Sequence, residues 1–215
     1  MTPKYFDSNA FSSMPIIGIV RGMRPDSLNA LLPHFIGAGF SCIEITMNTH
    51  GASEMISTAV KNHGKNLFVG AGTVCSLNDL ETALNAGANF IVTPVVVKEV
   101  IKECVRLGVP VFPGAFSPTE IFEAWSLGAT MVKVFPASVL GPDYIKSVKA
   151  PFPQIKLMPT GGITSKDLSI YRKSGADAFG IGSPLFPDSI INKNEWNNLG
   201  VHLTEFKKAW EESIS

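Results

Sequence analysis

The chain is short of charge. Only 17% of its 215 residues are Asp, Glu, Lys or Arg, against about 25% in an ordinary soluble domain. Neither sign is in excess: eighteen basic side chains meet eighteen acidic ones, and the formal net charge is zero. That balance leaves no positive field to hold DNA, RNA or an anionic membrane, so nucleic acid and membrane are excluded as expected partners. Cysteine is scarce as well. Cys42, Cys75 and Cys104 are odd in number and lack CxxC spacing. This argues against a disulfide framework or a thiolate zinc site and for a reducing, cytoplasmic setting. Long apolar runs are also missing. The longest, such as Phe90 to Val97, span fewer than ten residues, too short to cross a bilayer. The opening Met1 to Met14 is polar, broken by Pro3, Asp7 and Asn9, and lacks the apolar stretch of a secretion signal.

What is abundant is core material. Hydrophobic residues make up 45% of the chain, which rules out a disordered protein. At about 150 residues per domain, the length suits one barrel or doubly wound domain over 1–215. A repeated unit chooses between these. A helix-like stretch, a glycine and a short β-branched run recur at Gly39, Gly64, Gly87, Gly108, Gly128 and Gly175. The first steps between these glycines are 25, 23, 21 and 20 residues. The last, of 47, is a double step whose missing mark falls near Ala150-Pro151. Glycine after a helix supplies a left-handed cap that turns the chain back toward a sheet. The period predicts eight strands, near 15–20, 42–47, 67–71, 90–93, 109–113, 131–135, 155–159 and 178–182. Helices are expected between them, near 25–38, 52–63, 77–86, 96–107, 118–127, 141–149 and 165–174, with a closing helix near 201–213. A short helix before the first strand is a further expectation. Strands alternating with helices pair in parallel, and eight such units make a (β/α)8 TIM barrel. A doubly wound sheet would carry a GxGxxG fingerprint near its start, and none follows Ile19-Val-Arg-Gly.

Three charges break the apolar strands. Glu44 lies inside the second strand, Lys133 inside the sixth, and Arg21 ends the first. Val, Ile and Leu normally fill a barrel, and a buried ion is costly unless paired or neutralised. A structural ion pair across the interior is one reading. A chemical role is the other, since burial lowers a lysine pKa and leaves an amine able to attack a ketone. A carboxylate such as Glu44 then carries protons between the imine and enamine stages. Lysine plus one acid, with no metal cluster and no cofactor motif, is the equipment of a class I aldolase.

Two glycine-rich stretches read as anion cradles. Thr160-Gly161-Gly162-Ile163-Thr164 follows strand seven, and Ile181-Gly182-Ser183 follows strand eight. Loops at those two places form the usual phosphate site of this barrel. A third, Gly70-Ala71-Gly72-Thr73, ends strand three and suits a small carboxylate or close packing. His34, His50, His63 and His202 have no partner spacing, and Cys42 and Cys104 read as small core hydrophobes.

Together these segments resemble the KDPG aldolase family, the 2-keto-3-deoxy-6-phosphogluconate and 4-hydroxy-2-oxoglutarate aldolases. The resemblance runs through Glu44-Ile-Thr, Gly70-Ala-Gly-Thr-Val, Val92-Thr-Pro, Val111-Phe-Pro-Gly, Val132-Lys-Val-Phe-Pro-Ala, Pro159-Thr-Gly-Gly-Ile and Gly180-Ile-Gly-Ser. It implies a homotrimeric class I lyase acting on a phosphorylated keto acid. Lys133 then matches the Schiff-base lysine and Glu44 the acid/base glutamate. Thr73 and the loop to Gly72 match the pyruvate-carboxylate contacts, while Pro94 and Phe135 match an apolar wall. Gly161, Gly162, Gly182 and Ser183 match the phosphate cradle. One position departs: Asn48 stands where many gluconate-type members carry arginine, and Arg21 is the expected substitute cation. Asn48, Ile19-Val-Arg-Gly and Leu140-Gly-Pro-Asp-Tyr-Ile-Lys resemble phosphogalactonate relatives, whereas Thr160 resembles the gluconate type. Thr160 is weighted more heavily, because it is expected near the C4 hydroxyl that separates the two sugars. The leading expectation is therefore cleavage of 2-dehydro-3-deoxy-6-phosphogluconate to pyruvate and D-glyceraldehyde 3-phosphate. Cleavage of 4-hydroxy-2-oxoglutarate to pyruvate and glyoxylate is its companion, and the phosphogalactonate substrate is the alternative. From other classes come a phosphosugar epimerase or isomerase and a non-catalytic phosphosugar-binding barrel.

Overall fold

The computed structural model of the chain describes residues 8–214. Its strands are β1 (Ile16–Val20), β2 (Cys42–Thr46), β3 (Phe68–Gly72), β4 (Ile91–Thr93), β5 (Val111–Ala115), β6 (Val132–Val134), β7 (Leu157–Pro159) and β8 (Phe179–Ile181). They form one sheet in the order β7-β6-β5-β4-β3-β2-β1-β8, with every paired neighbour parallel. A parallel bridge from Thr160 to Gly180 brings β7 beside β8, so the sheet closes on itself. This is the (β/α)8 TIM barrel that the repeat predicts.

The helices are α1 (Ser8–Ser13), α2 (Pro25–Gly37), α3 (Ala52–His63), α4 (Leu77–Asn85), α5 (Lys98–Leu107), α6 (Pro118–Ser126), α7 (Ala137–Leu140), α8 (Pro142–Lys149), α9 (Leu168–Lys173), α10 (Asp188–Ile191) and α11 (Trp196–Ile214). Local chemistry sets several of their starts. Ser76 accepts the Asp79 N–H ahead of α4, and Ser117 and Glu120 form a reciprocal capping box on α6. Gly39, Gly87, Gly108, Gly128 and Gly175 all have positive φ, as a returning chain after a helix requires.

Gly64 corrects the expectation. Its φ is −58°, and its N–H continues the helix by bonding the Val60 carbonyl. A Cβ there would stand 2.5 Å from that carbonyl oxygen, so crowding rather than handedness favours glycine. The helix expected near 141–149 is α8, and Gly141 at φ 74° separates it from α7, a short helix that the period did not mark. The closing helix begins at Trp196 instead of 201 and runs through Gly200. Its buried Leu199, Leu203, Phe206 and Trp210 keep helical spacing, and Gly200 lets the helix approach His34 on α2.

Two apolar clusters hold the barrel. The larger lies between strands and helices and includes Ile43, Val69, Val111, Val132, Ile181 and Leu203. The smaller is made of Phe11, Ile17, Cys42, Phe68, Phe90, Val92, Phe112, Met131, Met158 and Ala178. Its members on successive strands sit at alternate positions from the first cluster, as the two faces of a closed sheet must. It is the floor of the barrel interior. Among the described residues no helix is long and apolar enough to cross a membrane.

Candidate active site

Two residues beyond Cys42 on β2, and so on the same face, stands Glu44; two beyond Met131, on β6, stands Lys133. In the strand register Glu44 pairs with Ile19 and Gly70, and Lys133 with Gly114 and Met158. Exposure is 0% for Glu44 and 4% for Lys133. Both charges are therefore inside the barrel, just above the floor.

Glycines make room for them. A Cβ on Gly72 would collide with the Glu44 carboxylate, and one on Gly70 would enter the Phe90 ring. Gly72 is thus a space left for Glu44, a role that its match to a carboxylate contact did not foretell. Neither oxygen of Glu44 has a hydrogen-bond partner among the described residues. The structural ion pair considered from the sequence does not form as a direct contact. Burial pushes the Glu44 carboxyl above its usual range, while the charges of Lys133 and then Arg21 pull it back. Such a group can gain and lose a proton during a reaction cycle, because neither form is locked by a bond. The Lys133 Nζ lies 5.3 Å from the centroid of the Phe135 ring, within reach of a cation–π contact.

Above this pair opens a cavity of about 460 Å³ at the C-terminal ends of β1, β6, β7 and β8. Its wall brings together Arg21, Lys133, Phe135 and Thr160 with the Gly161, Gly162, Gly182 and Ser183 loops. Gly161 and Gly162 adopt φ of 97° and 75°, and a Cβ on Gly162 would stand 2.7 Å from that of Ser138. Left-handed backbone in a crowded turn explains the pair without reference to a ligand, and it also leaves backbone groups uncovered beside the cavity. Thr160 is buried, and its hydroxyl donates to the Met158 carbonyl at 3.2 Å. The hydroxyl oxygen therefore keeps lone pairs for another donor.

Five expected residues do not line this cavity: Glu44, Asn48, Gly72, Thr73 and Pro94. Asn48 is exposed on the β2–α3 loop. Thr73 is half-buried at φ 56°, a conformation that a β-branched residue adopts only under constraint. Sequence reasoning missed Thr46 and Thr49. Thr49 accepts the Gly22 N–H at 2.9 Å and shares a 3.0 Å hydrogen bond with Thr46, tying the Arg21 loop to β2. Arg24, Ser27, Asp188 and Asn192 were missed too, and all four face the cavity. Among the described residues, no group of His, Cys, Asp and Glu has the arrangement of a metal site.

The family model for KDPG and KHG aldolase matches residues 8–201. The chain belongs to the KDPG and KHG aldolase family. Among similar proteins, the 2-dehydro-3-deoxy-6-phosphogalactonate aldolase of Escherichia coli K12 is 36% identical over 176 residues, covering 81% of this chain and 86% of that one. The 2-dehydro-3-deoxy-phosphogluconate aldolase of Treponema pallidum is 35% identical over 163 residues, covering 75% of this chain and 77% of its own. A solved KDPG aldolase from Legionella pneumophila, with pyruvate captured at low pH as a covalent carbinolamine intermediate, superposes with a TM-score of 0.82 at 26% identity. That match covers 91% of this chain and 95% of the Legionella chain. Membership of this aldolase family selects a carbon–carbon lyase over the epimerase and the non-catalytic barrel.

Proposed function

We propose that the protein is a class I aldolase that cleaves 2-dehydro-3-deoxy-6-phosphogluconate to pyruvate and D-glyceraldehyde 3-phosphate. The observation that carries this reading is a buried lysine, Lys133, on the wall of a cavity, together with a buried acid, Glu44, whose oxygens have no hydrogen-bond partner among the described residues. A neutral Lys133 amine attacks the C2 ketone to form a carbinolamine, and loss of water gives the iminium. A base removes the C4 hydroxyl proton, the C3–C4 bond breaks, and its electron pair flows into the iminium to give an enamine. The aldehyde phosphate leaves. Protonation at C3 and hydrolysis then release pyruvate and restore the amine. Glu44 is assigned the proton transfers, which its raised pKa and free oxygens suit. The carbinolamine captured in the Legionella relative supports the same chemistry here.

In this reading Arg21 steadies the keto-acid carboxylate, with Thr73, Gly72 and Asn48 completing that end from the rim. Phe135 and Pro94 wall the reacting carbons, while Gly161, Gly162, Gly182 and Ser183 hold the phosphate. A homotrimer is part of the proposal. Val95 and Phe116, exposed on the loops after β4 and β5, and Val139, exposed on α7, supply apolar surface for it. Sedimentation would test that mass.

A second reading has its own support: the relative at 36% identity is named for the phosphogalactonate substrate. Thr160 weighs against it. Its hydroxyl donates into its own strand, so the oxygen can accept a hydrogen bond from a substrate hydroxyl at C4. A site built to pair with a hydroxyl penalises the epimer that leaves it unpaired. Comparing kcat/KM for the two C4 epimers decides. The gluconate-derived substrate is expected to win, and Thr160→Val to narrow the preference. A wild-type preference for the galacto epimer would favour the second reading, and no cleavage of either would remove both.

A further inference from the structure

We propose that the N-terminal turn of α2 is a second arm of the phosphate site, in which Arg24 and Ser27 grip the phosphate opposite the glycine loops. The inference rests on the phosphorylated-substrate reading above and extends it to residues outside the glycine cradle. Arg24, Ser27 and the intervening turn reach the cavity from the β1 side, while Gly161, Gly162, Gly182 and Ser183 reach it from β7 and β8.

Ser27 is the first observation. It is only 4% exposed yet faces the cavity, and its hydroxyl makes no hydrogen bond to another described residue. Its Oγ opens to the cavity and is not sealed in the core, and alanine would fit the first turn of a helix equally well. An incoming acceptor satisfies it.

The helix end is the second. α2 spans 13 residues, and its N-cap Arg24 gives no side-chain cap. Pro25 has no N–H, so the N–H groups of Asp26 and Ser27 carry the positive end of the helix dipole without an acceptor among the described residues. Such an end favours an anion.

Arg24 is the third. Its side chain is exposed on the cavity wall and forms no ion pair among the described residues. Arg21, Arg24 and Lys133 meet a single acid, Asp188, on that wall, so the cavity carries net positive charge. A guanidinium fork suits the several oxygens of a phosphate better than a point charge does.

The test compares kcat/KM for the phosphorylated keto acid with kcat/KM for the same acid lacking its phosphate. The ratio is measured in wild type, Arg24→Gln, Arg24→Lys and Ser27→Ala. Losing one charge-assisted bond should lower the ratio about tenfold or more in Arg24→Gln, with Arg24→Lys intermediate. Ser27→Ala should lower it by a smaller factor. A ratio unchanged in both Arg24→Gln and Ser27→Ala, on a wild type that clearly favours phosphate, would overturn the second arm and leave the aldolase reading standing. Equal losses on both substrates would also overturn it, since that is the signature of a structural role. A wild type indifferent to phosphate would instead remove the phosphate reading itself, and this extension with it.

Discussion

The two ends of the barrel interior are built from opposite residue types on the same strands. At the floor, Phe68, Phe90, Phe112, Met131 and Met158 fill the space, with Phe11 of α1 beneath them. The Phe90 and Phe112 rings meet edge to face, 5.6 Å apart at 84°. At the mouth the inward positions are Glu44, Lys133 and Thr160, with Gly70, Gly72 and Gly180 where larger residues would collide with their neighbours. One end gains stability from dense apolar packing; the other gives stability up to keep charge, space and unpaired groups. The contrast teaches that strand position decides a residue's task. A change at the floor should cost folding free energy, and a change at the mouth should cost chemistry.

The sharpest way to break that contrast is Lys133→Met. Removing a covalent nucleophile should lower kcat by about 10⁴-fold or more, while the thermal midpoint holds, because methionine fills a similar volume in the barrel and leaves no polar group to satisfy. A large drop in that midpoint would make the lysine a structural residue and erase the division between the two ends. Phe90→Ala is the converse. It should destabilise the fold by about 3–5 kcal/mol in chemical denaturation, yet leave turnover per folded molecule close to wild type. Activity lost before stability would mean that floor and mouth are not separable.

Glu44→Gln is the milder probe and sharpens the comparison in two ways. Turnover should fall by about 10²–10⁴-fold, the range for a lost general acid or base. Stability should also change its pH dependence. Burial raises the folded carboxyl above its ordinary 4.5, so the folded state holds the proton more tightly than the unfolded state. Wild-type stability from this group is therefore present below 4.5 and lost as pH rises through the raised value. Glutamine cannot titrate, so the variant should gain on wild type with rising pH across that window. Parallel stability curves would show that Glu44 is better solvated than its burial implies.

The mouth was also where the sequence was easiest to read in part and hardest to complete. A charge inside an apolar strand is a strong signal, and it exposed Glu44 and Lys133 at once. The glycine period laid out all eight strands, since each unit must return the chain to the sheet. Gly64 fitted the period for a different reason, steric crowding, which no spacing rule can distinguish. Arg24 and Ser27 stayed hidden because polar residues at a helix start read as ordinary surface. Only the closure of β1 against β8 turns that start toward the cavity. Thr49 stayed hidden for a similar reason, because its hydrogen bond to Gly22 crosses from one loop to another, and Thr46 shows only as its partner. Asn48 is a conspicuous departure from the family pattern, and it stands on an exposed loop off the cavity wall.

The central claim is that the buried lysine at the mouth forms a covalent bond with substrate. Incubation with pyruvate and borohydride, followed by peptide mass analysis, tests it directly. The account predicts a reduced three-carbon adduct on the peptide containing Lys133, absent when borohydride is added alone. An unchanged protein mass, or an adduct confined to the exposed lysines, would contradict it.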